Sequence, residues 1–71
     1  MKRDVEKLKM LLPHWIRHNE EHKNEYKKWL ERVKGNVSEN IIESFEKVIE
    51  LSEQSNKYLK SILDKMEKEG C

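Results

Sequence analysis

Three histidines at four-residue spacing, His14, His18 and His22, stand with Glu21 and Glu25 in one short stretch of this chain. On a helix each four-residue step advances about 40° around the axis, so the imidazoles climb one side like rungs. Imidazole is the commonest metal-ligating side chain, and a solvated helix has no structural need for three. His18 and His22 form an H-x-x-x-H pair, which lets imidazoles on successive turns hold one ion. Such ligands suit zinc, nickel, cobalt or ferrous iron. His14, Glu21, Glu25 and, from farther along the chain, Glu53 are candidate additional ligands. The plainer alternative is a hydrogen-bonded buried histidine with a surface neighbour and no ion.

Other chemistry is poorly served. A di-iron carboxylate centre needs Glu-x-x-His elements on two helices, and this sequence has only the reversed order, His18 with Glu21 and His22 with Glu25. The HEXXH protease pattern fails because Asn19 stands where the catalytic Glu belongs. No Ser-His-Asp or Cys-His arrangement is visible, and two helices offer no deep pocket. The expectation is a binding protein, not an enzyme.

The scaffold must hold those rungs. Seventy-one residues, 41% of them charged, allow one small domain. A domain of this size buries only about 60% of the surface its unfolded chain exposes, so it needs help from association, metal or disulfides. The sequence contains no alanine and no threonine, which reads as genome bias, since alanine suits any helix. A formal net charge of +1 argues against capture of nucleic acid by a basic face. No long apolar run follows Lys2 and Arg3, so neither a signal peptide nor a membrane span is expected. A lone cysteine, Cys71, makes no internal disulfide; it reads as a frayed terminus. The cytoplasm is the default compartment.

Periodicity predicts an all-α hairpin. Asp4 can cap a short segment over 4–12. Pro13 lacks an amide proton and pushes Leu12 from helical geometry, which predicts a break or sharp kink. A helix then runs over 13–34. Gly35 and Asn36 open a turn over 35–37, and Asn36 or Ser38 caps a second helix over 38–69, ended by Gly70.

On the first helix Leu8, Leu11, Trp15, Tyr26, Trp29 and Val33 form the expected apolar stripe. His22 falls inside it, with Asn19 and His18 at its flanks. On the second, Ile41, Ile42, Phe45, Val48, Ile49, Leu59, Ile62, Leu63 and Met66 form a stripe interrupted by Ser52, Ser55 and Asn56. A hairpin turning at Gly35-Asn36 sets His22 opposite Ile49, His18 opposite Ser52 and Glu53, and Trp15 opposite Asn56. The result is a polar waist between apolar ends, and buried polar groups must be satisfied. Both apolar arcs are wider than one neighbouring helix covers. A homodimer or larger assembly, forming a four-helix-type bundle, is the economical solution.

The run Leu12-Pro13-His14-Trp15-Ile16-Arg17-His18-Asn19-Glu20-Glu21-His22, followed by Tyr26 and Trp29, resembles a family of short uncharacterised prokaryotic helical proteins. Their pattern is approximately Pro-His-Trp-x-x-His-Asn-x-x-His followed by an aromatic residue and a tryptophan. The resemblance spans about residues 11–30. It implies no established activity, only a metal-related role centred on His14, His18, Asn19 and His22.

The leading expectation is therefore a divalent transition metal (Zn, Ni or Co) held by His18 and His22 at the waist of a homo-oligomeric bundle. The main alternative is a metal-free interaction module whose polar layer fixes register and partner choice. A weaker one is a small-molecule or haem site between dimer halves, with His22 as axial ligand.

Overall fold

The computed structural model describes residues 2–69. Cys71 and the helix end expected at Gly70 lie outside the described residues. The described residues form two helices: α1 spans Lys2–Val33 and α2 spans Glu39–Glu69. They pack as an antiparallel hairpin measuring 52 × 15 × 14 Å. A rod two helices wide has one internal seam and no enclosed interior.

That seam follows a regular alternation of four- and three-residue steps. On α1 it runs through Leu12, Ile16, Asn19, Lys23, Tyr26, Leu30 and Val33; on α2 through Ile42, Phe45, Ile49, Ser52, Asn56, Leu59, Leu63 and Met66. Each of these is buried or half-buried. The spacing is that of coiled-coil packing, in which side chains of one helix enter the gaps of the other. Leu12 is the deepest, 1% exposed, followed among apolar residues by Ile49. Four of these α1 residues, Leu12, Ile16, Lys23 and Leu30, are absent from the stripe expected from sequence. Trp15 and Trp29, both in that expected stripe, are exposed. The seam lies about 50° round α1 from the expected stripe, at 100° per residue, and Leu12, Ile16 and Leu30 take the place of the indoles.

Helix α1 runs without interruption through Pro13, so the expected division at 12/13 does not occur. Asp4 lies in the first turn of α1 and does not cap a separate segment. Proline costs a helix interior about 3 kcal/mol, through one missing hydrogen bond and a clash with the preceding turn. Pro13 itself is exposed, while Leu12 beside it and Ile16 one turn on are held against α2. Packing on the seam side sustains the helix across the proline.

The turn follows local rules. The Lys34 amide donates to the Leu30 carbonyl and the Asn36 amide to the Val33 carbonyl, closing α1. Gly35 has open space around it and no positive φ, so it acts as a helix stop without a left-handed cap. Ser38 is the N-cap of α2. Its Oγ accepts from the Ile41 amide at 3.4 Å, and its carbonyl accepts from Ile41 and Ile42.

Candidate functional site

The polar waist exists: Asn19, Ser52, Ser55 and Asn56 lie in it as expected, with Glu20 and Lys23 in place of His18 and His22. Asn56 is 4% exposed and is the one buried polar residue among those described. Its Nδ2 donates to the Ile16 carbonyl at 3.1 Å and to Glu20 Oε2 at 3.0 Å. Its Oδ1 is buried and accepts no hydrogen bond from the described protein atoms. Lys23 Nζ donates to Glu20 Oε1 at 2.7 Å, and Asn19 Nδ2 donates to Ser55 Oγ at 3.4 Å. The hydrogen bond from Lys23 holds the Glu20 carboxyl below its ordinary value, partial burial opposes this, and Asn56 assists. The same bond holds Lys23 above its ordinary value against desolvation, with Glu53 adding attraction. These groups satisfy most of one another's needs. Glu20 and Lys23 escaped sequence reasoning because a charged pair reads as a solvated face. The signal for Lys23 was its place in the four-three alternation from Leu12 to Val33.

The expected pairing of His22 with Ile49, and of His18 with Ser52 and Glu53, is corrected: both histidines are exposed, on the flank of α1. Their rings remain close to one another. The centroids of His18 and His22 are 4.4 Å apart, edge to face. His14 and His18 stack at 6.0 Å, and His22 and Tyr26 at 6.2 Å. The ladder thus winds from the back of α1 at His14 to the seam at Tyr26. His14 Nδ1 accepts from Arg17 at 3.4 Å, which sets a cation beside it. Glu25 lies one turn beyond His22 on the same flank. Glu21 sits on the outer back of α1, in a shallow groove with Asn24, Glu25 and Lys28. Glu53 is separated from the ladder, lining a polar groove with Glu20, Lys23, Asn56, Lys57 and Lys60. No three His, Cys, Asp or Glu side chains converge as a ligand set among the described residues.

The histidine flank is also the apolar flank. A second alternation of four- and three-residue steps runs along α1 beside the seam: Leu11, Trp15, His18, His22, Glu25, Trp29 and Arg32. On α2 a matching one runs through Ile41, Ser44, Val48, Leu51, Ser55, Tyr58, Ile62 and Lys65. In an antiparallel pair these outer stripes fall on the same side of the hairpin. Trp15, Trp29, Ile41, Val48, Leu51, Tyr58 and Ile62 are all exposed there; among the described residues, the other large exposed apolar side chains are Val5 and Met10. Arg32 covers part of Trp29, its guanidinium carbon 5.0 Å from the ring centre. Near the turn, Tyr26, Asn40, Ile41, Ser44, Phe45 and Val48 line an open, mainly apolar groove of about 500 Å³.

A family model described as a domain of unknown function, DUF8180, matches residues 8–66, which takes in the histidine ladder, the turn and nearly all of α2. The chain belongs to the DUF8180 family. The match covers both helices of the hairpin, so the unit that defines DUF8180 includes the α2 stripes as well as the α1 motif. No curated protein and no solved structure matches the chain. No helix among the described residues is long and apolar enough to cross a membrane.

Proposed function

We propose that this DUF8180 hairpin is a transition-metal-binding protein that works as a homo-oligomer, with His18 and His22 as the metal pair. The observation that carries the reading is the placement of these imidazoles. Their ring centres lie 4.4 Å apart on successive turns of an uninterrupted helix, in the polar gap of an otherwise apolar exposed stripe. A preformed helix presents the two rings with the backbone already ordered, and borderline divalent ions favour imidazole. Glu25 is the best placed third ligand. His14 is engaged by Arg17, Glu21 faces outward, and Glu53 lines the other groove, so these rank lower.

An ion that binds only the folded chain adds about 2.7 kcal/mol of stability at a hundredfold excess over its Kd. Thermal melts with zinc, nickel or cobalt should rise for the wild type and stay unchanged for His18→Ala and His22→Ala. Melts insensitive to all three metals at neutral pH would overturn the metal reading.

A second reading is a metal-free self-association module, with the histidines forming a polar layer that sets register. It is favoured by the gathering of exposed apolar side chains from both helices on one face. It predicts an oligomer whose mass and melting are indifferent to metal and to His18→Ala.

A further inference from the structure

The two outer stripes share a centre. On α1 the midpoint between His18 and His22 is Glu20; on α2 the midpoint between Leu51 and Ser55 is Glu53. Glu20 and Glu53 line the same polar groove, at one level of the hairpin. Counted outward from that level, the positions of each stripe fall on positions of the same stripe when it is run against itself in the opposite direction. On α1 His18 meets His22, Trp15 meets Glu25, and Leu11 meets Trp29. On α2 Leu51 meets Ser55, Val48 meets Tyr58, Ser44 meets Ile62, and Ile41 meets Lys65. Alternating stripes repeat such centres along their length. This one lies near mid-hairpin, where overlap is greatest, and it sets the polar residues of α1 against each other in the middle.

We propose that a second copy of the chain covers this face about a two-fold axis crossing the helices at the level of Glu20 and Glu53, so that His18 and His22 of both copies form one shared site for a divalent transition metal. The inference rests on the metal reading above and adds the partner that completes the site. One chain offers two adjacent imidazoles and no convergent third ligand among the described residues. Two chains offer four imidazoles, the number a tetrahedral zinc site takes. A two-fold contact uses the same patch twice, which accounts for an apolar face spread over both helices. Tyr58 is 70% exposed, and in this register the ring of Tyr58 from the second copy falls at the groove formed by Tyr26, Ile41, Ser44, Phe45 and Val48. A knob and its hole therefore stand on one surface, on either side of the axis.

The register is tested by cross-linking in the full chain carrying Cys71→Ser. Ser44→Cys combined with Ile62→Cys should close a covalent dimer on mild oxidation. Ser44→Cys alone should not, because its two copies would lie about 27 Å apart along the bundle at 1.5 Å per residue; Ile62→Cys alone should not for the same reason. Zinc titration followed by light scattering should give one ion per two chains, at twice the 8.7 kDa chain mass. Tyr58→Glu should keep its helical circular dichroism and weaken association by at least roughly tenfold. A chain that stays at 8.7 kDa, or one that binds zinc one per monomer, overturns the shared site. Cross-linking of either single variant overturns the antiparallel register. A dimer that cross-links as described but ignores zinc confirms the covered face and overturns the metal reading instead.

Discussion

Asn56 of α2 reaches across the hairpin and donates from Nδ2 to Glu20 Oε2 of α1 at 3.0 Å. The same nitrogen donates to the Ile16 carbonyl at 3.1 Å. The contact sits in a seam that is otherwise mostly aliphatic, and it holds only in one register. Sliding α2 along α1 by one seam repeat would leave a buried amide facing apolar side chains, at a cost of about 1–3 kcal/mol. Asn56 thus selects the alignment that brings the outer stripes of α1 and α2 level.

Selecting a register and maximising stability are different matters, and Asn56→Leu separates them. The leucine removes the unpartnered buried Oδ1 and adds apolar packing. Urea unfolding should show the variant more stable by about 1 kcal/mol, with a less well-defined register visible as broadened or doubled amide signals in NMR. A loss of stability greater than about 1 kcal/mol would mean that Asn56 is a net stabilising contact.

The pair Glu20–Lys23 gives stability a defined pH dependence. Glu20 titrates below its ordinary value of 4.5 in the folded chain, so the stability it contributes is present above that value and fades as pH falls through the folded one. Lys23 titrates above its ordinary value of 10.5, so its contribution is complete below that pH and fades as pH rises through the higher folded value. Melting temperature against pH should therefore fall at both extremes. Glu20→Gln should flatten both arms, since it removes the titrating carboxylate and the anion that raises Lys23. An unchanged acid arm in Glu20→Gln would assign that arm to other carboxylates.

Pro13 lies inside an unbroken α1 and is exposed. Replacing it by alanine restores an amide that can donate to the Lys9 carbonyl and touches nothing in the seam. Pro13→Ala should raise stability by about 1–3 kcal/mol, read from chemical denaturation. If stability is unchanged, α1 accommodates the proline by a local adjustment that already relieves most of its cost.

Leu12 and Trp15 are neighbours in sequence and lie on different stripes. Leu12→Ala opens the most buried position of the seam, and a fully buried leucine is worth about 2–5 kcal/mol. That is a large share of what so small a domain possesses, so helical circular dichroism should collapse or melt far lower. Trp15→Ala should leave helicity largely intact and lower the light-scattering mass of the proposed oligomer towards that of a monomer. The reverse pattern would place Trp15 in the seam and Leu12 outside it.

Much of this molecule is determined by the chain itself. Two helices, their antiparallel return at Gly35 and Asn36, and the Ser38 cap follow from local preferences, because capping bonds and helical periodicity involve residues only a few positions apart. The histidine ladder is likewise a matter of spacing on one helix. Which side of α1 faces α2 was not local. Leu12, Ile16, Leu30 and Leu11, Trp15, Trp29 belong to two overlapping alternations on adjacent flanks of one helix, and either is apolar enough to be buried. The choice was made by mutual fit. Leu12, Ile16 and Leu30 of α1 lie buried or half-buried in the seam, and Asn56 finds Glu20 and the Ile16 carbonyl only in that orientation. The indoles of Trp15 and Trp29 remain outside the seam, beside His18 and His22. The unbroken passage through Pro13 is also tertiary in origin, since Leu12 and Ile16, on either side of Pro13, are held in the seam against α2.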